Sequence, residues 1–410
     1  MRTQLDIDRA RLLQRLDELA RFGAREDGGL SRLACSEADR QARDQVVAWM
    51  RELGLELRID AIGNLLGLLP GRAQGAPVLT GSHIDTVAAG GRYDGNYGVL
   101  AGLEVIERVR ERGLVPERPL GVCVFTNEEG ARFAPDMLGS LVFAGGMPLE
   151  RALAARDSEG RSLGEELARI GYAGEAPVGD YAVHRFVELH IEQGPVLEAE
   201  GVQIGAVRDL QGIRWQEIEL RGQANHAGTT PMALRHDPGL VAAELAVAVR
   251  ALTRELGGRP LGTVGSLRLE PDLINVIPSR ARLTVDLRNT EESALREAER
   301  RLARILSELC EREGVEARTR TLARLEPVVF DPQVHALVRR VATELGYSVR
   351  DMTSGAGHDA QMLARICPAA MIFVPSKDGI SHNPAEFTDP AELEAGAHVL
   401  AHTLWELCAS

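Results

Sequence analysis

The residues best suited to chemistry begin in Gly81–Gly98, GSHIDTVAAGGRYDGNYG, where His83, Asp85 and Asp94 follow a short apolar run and are spaced by glycines that let the chain turn sharply. Imidazole and carboxylate groups at a strand end, with another carboxylate returning after a loop, can assemble a metal site. Further along, Asn127-Glu128-Glu129-Gly130 follows the apolar run LGVCVFT, the strand-like FVELHIE carries Glu188, His190 and Glu192 on one face, and His382 sits in ISHNP. His83, Asp94, Glu129, His190 and His382 together match the needs of two ions that share one carboxylate. Carboxylates with imidazoles suit Zn²⁺, Mn²⁺ or Co²⁺, and the lack of nearby cysteine argues against a closed structural zinc site. Adjacent residues of an extended chain point to opposite sides, so Glu128 and Glu129 should have different jobs. One would ligate and the other would carry a proton from water to a leaving group; the spacing leaves open which does which.

The elements that must position these groups can be read from periodicity. Helices are expected over about 5–22 and 36–53, two short strands within 55–69, a strand over 77–82 and a helix over 98–112. The run 120–126 is apolar on both faces, which predicts a strand inside a sheet covered by helices, hence an α/β domain. Acidic residues just past such a strand lie where open α/β sheets place their sites. Over 186–192 one face is ionisable, so that strand is expected to line a cleft. From 212 the order becomes β-α-β-β-α-β: strands 213–221, 263–270, 281–288 and 315–322, with helices 237–256 and 293–312. That is a ferredoxin-like unit with both helices on one face of the sheet. After Pro327 the α/β pattern returns, with helices 334–345 and 358–366, strand 370–374 and a last helix from Pro390. The expected organisation is therefore a discontinuous α/β domain, 1–211 and 327–410, and an inserted domain, 212–326. GAGHDA, 355–360, formally fits a dinucleotide fingerprint but follows no apolar strand. It reads better as a glycine turn opening a helix whose N-terminal NH groups face an anionic substrate.

Composition narrows the partners. A net charge of -13 over 410 residues disfavours nucleic acid and anionic membrane. Five cysteines, odd in number and never in a CxxC pair, suit a reducing cytoplasm without disulfides. The stretch Met1–Gly23 mixes charge with apolar residues at helical spacing, so neither signal peptide nor membrane anchor is expected there.

Seven motifs, GSHIDTV, GGRYDGNYGVLAGLEV, FTNEEGARF, ELHIEQGPVLE, NHAGTTPM, GAGHDA and DGISHNPAEF, resemble in type and order the amidase, hydantoinase and carbamoylase branch of the dinuclear M20 metallohydrolases. The resemblance implies a dinuclear-metallohydrolase catalytic domain with a central mixed sheet and an inserted ferredoxin-like lid that also dimerises the protein. It implies His83, Asp94 and His190 around one metal, Asp94, Glu129 and His382 around the other, and Asp85 orienting His83. The two ions per subunit would be Zn²⁺ or Mn²⁺, with Co²⁺ or Ni²⁺ possible. Glu128 becomes the general base and acid, His226 and Asn275 stabilise the oxyanion, and Arg288 takes the substrate carboxylate. Gln193, Gly357 and His358 are further expected substrate contacts. The implied activity is cleavage of the ureido C–N bond of an N-carbamoyl-L-amino acid, with allantoate or a β-ureido acid as alternative substrates. A dipeptidase or aminoacylase of the wider superfamily is a more distant reading. A non-catalytic binding protein that kept the fold is disfavoured by the full ligand set together with Glu128.

Overall fold

The computed structural model describes residues 5–409. Two compact units divide the chain: one runs to Arg208 and resumes at Phe330, the other is Asp209–Val329. The chain begins with α1 (Arg9–Leu19), α2 (Glu37–Glu52), β1 (Glu56–Ile59), β2 (Leu65–Leu69), β3 (Val78–His83), α3 (Asn96–Glu111) and β4 (Leu120–Phe125). The short helices α4 (Leu138–Phe143), α5 (Leu149–Leu153) and α6 (Leu163–Ile170) lead to β5 (Arg185–Ile191), α7 (Val196–Glu200) and β6 (Ile204–Leu210). The second unit holds β7 (Gly212–Arg221), β8 (Asn225–His226), α8 (Pro238–Glu255), β9 (Leu261–Glu270), β10 (Val276–Ile277), β11 (Arg280–Asn289), α9 (Glu292–Glu313) and β12 (Glu316–Leu325). β13 (Val328–Val329) precedes α10 (Pro332–Glu344), β14 (Val349–Ser354), α11 (Asp359–Leu363), β15 (Ala369–Val374) and α12 (Pro390–Cys408).

Local chemistry sets the helix starts. Ser36 caps α2 by accepting from Asp39 N–H. Asp237, Asp331 and Asp389 cap α8, α10 and α12, each followed by a proline whose missing N–H costs nothing in the first turn. Asp8 likewise caps α1, which therefore starts at Arg9 rather than Leu5. The first four residues of the N-terminal stretch lie outside the described residues.

The first unit is built on a mixed sheet of order β1-β2-β4-β3-β5-β15-β6, with β14 paired to β6. Its four central strands, β4, β3, β5 and β15, are mutually parallel. β3, β4 and β15 are buried along their whole length. Their C-terminal ends consequently emerge side by side at one edge, the arrangement from which open α/β sheets build sites. α3 and α12 pack against β3 and β5, with Val99, Leu100, Leu103 and Ile106 in the common core. Among the described residues no helix is long and apolar enough to cross a membrane.

In the second unit an antiparallel sheet of order β12-β7-β11-β9 carries α8 and α9 on the face formed by Ala281, Leu283, Val285 and Leu287. β8 and β10 form a separate two-residue ribbon.

Three details depart from the sequence reading. β5 is buried on both faces, so Glu188 does not line an open cleft but accepts hydrogen bonds from Ser82 Oγ (2.6 Å) and Ala360 N–H (2.7 Å) inside the protein. GAGHDA does follow a strand, β14, whose partial exposure lets it carry Arg350 and Asp351 without an apolar signature. The helix after GAGHDA is only Asp359–Leu363, and the anion its N-terminus meets is Glu188.

One glycine is fixed by the sheet. Gly81 has φ of +150°, and a Cβ there would sit 2.1 Å from Cys123 O on the neighbouring strand. Gly81→Ala should lower unfolding stability by roughly 2–4 kcal/mol in urea titrations, because backbone must move to admit the methyl group. A change under about 0.5 kcal/mol, the ordinary surface range, would show that the strand pair is not so tightly set.

Candidate active site

The site forms where the four parallel strands end. His83 is the last residue of β3, Glu128 and Glu129 follow β4, His190 is next to last in β5, and His382 lies in the segment after β15. Asp94 returns on the loop between β3 and α3. Asp94 is 4% exposed, and its carboxylate is the common centre. Nε2 of His83 and His190 stand 3.4 and 3.1 Å from Oδ1, and Nε2 of His382 stands 3.3 Å from Oδ2. His382 Nε2 is also 3.4 Å from Glu129 Oε2, and His83 Nε2 is 3.4 Å from Glu128 Oε2.

Two overlapping donor groups result, His83/Asp94/His190 and Asp94/Glu129/His382, with Asp94 in both. Their spacing fits a small divalent ion: two ligands each about 2.1 Å from a tetrahedral centre lie roughly 3.4 Å apart. The imidazoles are oriented for that task. His83 Nδ1 is 2.9 Å from Asp85 O and His190 Nδ1 is 2.9 Å from Ile191 O, so each ring donates there and turns its Nε2 lone pair inward. Gly95 is required by the close approach. It has φ of +65°, and a Cβ would meet His83 Nε2 at 2.4 Å.

Asp85, expected to orient His83, meets that ring twice: its Oδ1 lies 3.9 Å from His83 Nδ1 and its carbonyl lies closer. The carboxylate accepts from the backbone N–H of Glu128 (3.2 Å) and Glu129 (3.3 Å), while the Asp85 carbonyl holds the imidazole. One residue thus fixes the His83 ring and the turn bearing both glutamates. Arg43, fully buried on Asp39, donates to Thr126 Oγ1 at the start of that turn.

Further residues hold the ring of donors, and one of them, Glu386, was not singled out in the sequence. Glu386 accepts through Oε1 from Tyr93 and Asp94 N–H and through Oε2 from Ser381 Oγ, tying the Asp94 loop to the His382 segment. The acidic residue inside DGISHNPAEF was its only signal. Glu188 had the signal of an acid on a buried strand. Gln193, an expected substrate contact, donates Nε2 to Asp94 Oδ2 (2.9 Å), while its buried Oε1 has no hydrogen-bond partner. Asn127, Gln193 and His382 all have φ between 53° and 57°, backbone that non-glycine residues adopt only when their surroundings impose it.

His358 is buried behind His190, with ring centroids 4.6 Å apart and Nε2 on Ser354 Oγ (3.1 Å). Burial holds it well below the usual histidine range, so it packs as a neutral ring. Gly357, just before it, leaves room for Met137. The remaining expected groups lie in the second unit. His226 on β8 opposes Val276 of β10, and Asn275 O accepts from Ala227 N–H, which brings His226 and Asn275 together. His226 Nδ1 accepts from Gly228 and Thr229 N–H, so its outward Nε2 carries the proton. Arg288 on β11 pairs with Asp286 and lies over Trp215.

Charge is concentrated here. Burial raises Glu128 well above the carboxylate range and takes Glu129 up to about 8, the latter helped by Asp94. Burial works against the charged form of Asp94, but His190, His382 and His83 hold it well below its ordinary value. The hydrogen bond to Asp94 carries His382 up to about 9.

These shifts set a pH dependence for the metal-free protein. The His382 contribution is complete below about pH 6.5 and is lost as pH rises through about 9. Glu129, also shifted upward, costs stability as pH climbs through about 8. An ion needs the deprotonated ligands, so its stabilising effect grows over that window. Addition of Mn²⁺ should therefore raise Tm more at about pH 8 than at about pH 6; equal rises would contradict this picture of the donors.

Comparison with known proteins places the chain. Residues 79–406 match peptidase family M20/M25/M40. The chain is 41% identical over 397 residues to an N-carbamoyl-L-amino-acid amidohydrolase of Rhizobium meliloti, covering 97% of this chain and 95% of that one. It is 36% identical to an allantoate amidohydrolase of Bacillus subtilis (strain 168), with 96% of each covered. The crystal structure of an amidase of the hydantoinase/carbamoylase family from Burkholderia multivorans superposes with a TM-score of 0.96 over all of both chains at 44% identity. The chain is thus an enzyme of peptidase family M20/M25/M40.

Proposed function

We propose that this enzyme hydrolyses the ureido C–N bond of an N-carbamoyl-L-amino acid, giving the amino acid, carbon dioxide and ammonia. The observation that carries the reading is the double donor set sharing Asp94, with the Glu128 carboxyl beside it. Two divalent ions, Zn²⁺ or Mn²⁺, would be held by His83, Asp94 and His190 and by Asp94, Glu129 and His382. Such ions supply Lewis acidity, making water more acidic and offsetting negative charge that develops on a carbonyl oxygen.

The chain's own groups complete the reaction. Glu128, raised by burial, is suited to take a proton from the attacking water and deliver it to the departing nitrogen. Ammonia leaves, and the carbamate then separates into carbon dioxide and the amine. His226, whose Nδ1 accepts from two backbone amides, is assigned as an Nε2–H donor to the oxyanion, and Asn275 beside it is assigned the same task. Arg288 is assigned the substrate carboxylate, for which its planar fork is apt. Gln193 is assigned to the substrate through the buried Oε1 that has no protein partner. Gly357 is assigned to the wall of the same substrate site, and His358 to that site only through the His190 ring it backs.

We further take the second unit as a ferredoxin-like lid through which two copies pair, which would cover its exposed Leu261, Leu267 and Val247. The five free cysteines, all buried, favour a reducing cytoplasm. Allantoate is the second substrate reading, supported by the 36% identity to the Bacillus enzyme.

Two measurements decide. Ammonia release from N-carbamoyl-L-amino acids should exceed that from allantoate when Mn²⁺-loaded enzyme is assayed on both; dipeptide cleavage without ammonia from either would overturn the proposal. Glu128→Gln should keep its metal content but lose on the order of 10²-fold or more in kcat, whereas normal turnover would remove Glu128 from the proton path.

A further inference from the structure

Arg32 has no solvent exposure and lies before α2, outside every motif noted above. Its side chain donates to Ile84 O through Nε (2.6 Å), to Leu19 O and Phe22 O through Nη1 (2.9 and 2.8 Å) and to Asn96 Oδ1 through Nη2 (2.5 Å). Its main chain is engaged as well: its N–H donates to Thr86 Oγ1 (2.8 Å), and its carbonyl accepts from Thr86 N–H (2.9 Å). These acceptors are neutral, and burial brings the guanidinium down to about 10. A fully desolvated cation with no directly bonded carboxylate is an expensive way to dock a helix, since apolar side chains would do it better.

The contacts suggest a different purpose. Ile84 lies between His83 and Asp85, whose carbonyl orients the His83 ring. Asn96 passes the restraint on to the other loop, since its Nδ2 (3.1 Å) and its backbone N–H (2.7 Å) both donate to Asp94 O. One planar group therefore spans the turn that carries His83 and the turn that carries Asp94, and anchors both to the C-terminal end of α1. A guanidinium can do this because its donors diverge in a fixed plane, whereas an ammonium is a single point.

We propose that Arg32 is a positioning residue for metal binding, setting the distance between His83 and the Asp94 carboxylate from behind. This rests on the reading of His83 and Asp94 as ligands.

The test is Co²⁺ titration of the metal-free full-length chain, wild type against Arg32→Met and Arg32→Lys, followed by visible absorption, with far-UV circular dichroism and metal-free Tm recorded for each. Both variants should show native secondary structure, a Co²⁺ Kd raised by at least about 10-fold and altered band intensities, as expected when the groups behind metal ligands are removed. A wild-type Kd and spectrum in Arg32→Met, with only the metal-free Tm lowered, would make Arg32 a fold residue and overturn the inference. So would full recovery of affinity in Arg32→Lys, which keeps the charge but not the fork. If Arg32→Met fails to fold, Asn96→Ala removes one arm alone; it should weaken Co²⁺ in the same direction, and unchanged affinity there overturns the proposal. Wild-type protein that takes up no Co²⁺ would instead overturn the underlying ligand reading, and this inference with it.

Discussion

Carboxyl groups crowded into a buried space cannot all be ionised together unless positive charge is placed between them. At the C-terminal edge of β3, β4, β5 and β15, Asp85, Asp94, Glu128 and Glu386 are all buried, as is Glu188 in the middle of β5. The arrangement resolves the conflict unevenly. Asp94 receives three imidazoles and is held ionised, while burial drives Glu128 and Glu129 toward the protonated form. A divalent ion on each side of Asp94 would relieve the remaining repulsion. The same crowding leaves Glu128 ready to exchange a proton.

The scaffold follows from this need. Donors must meet at distances set to a few tenths of an ångström, and only adjacent parallel strands bring several chain ends to one edge without long loops. Glycine is demanded where backbone meets a ligand, as at Gly95 under the His83 ring. Left-handed backbone at Asn127, Gln193 and His382 stores strain that surrounding hydrogen bonds maintain. Glu386 and Asp85, each gripping two backbone amides, convert carboxylates that could have been ligands into supports.

Much of this was legible in the sequence because metal-binding side chains are few in kind and strand ends are easy to locate. His83, Asp94, Glu129, His190 and His382 could be collected before any coordinates, and the structure gathers all five. The buried strands of the central sheet were readable from the apolar runs at 120–126 and 370–374. What escaped depended on main-chain atoms or on burial, which residue type does not encode. The hold of the Asp85 carbonyl on His83 is a main-chain contact. Glu188 looked like a cleft residue because alternation on β5 marks polarity, not exposure. β14 was missed because a half-exposed strand tolerates Arg350 and Asp351. Arg32 carried no signal among many arginines.

We propose that Asp94 is shared by two ions. Crystals of the protein loaded with Mn²⁺, measured at the manganese absorption edge, test it most directly. The expected anomalous map has two peaks roughly 3.5–4 Å apart, both in contact with the Asp94 carboxylate. A single peak, or two peaks of which either lies away from Asp94, would contradict it.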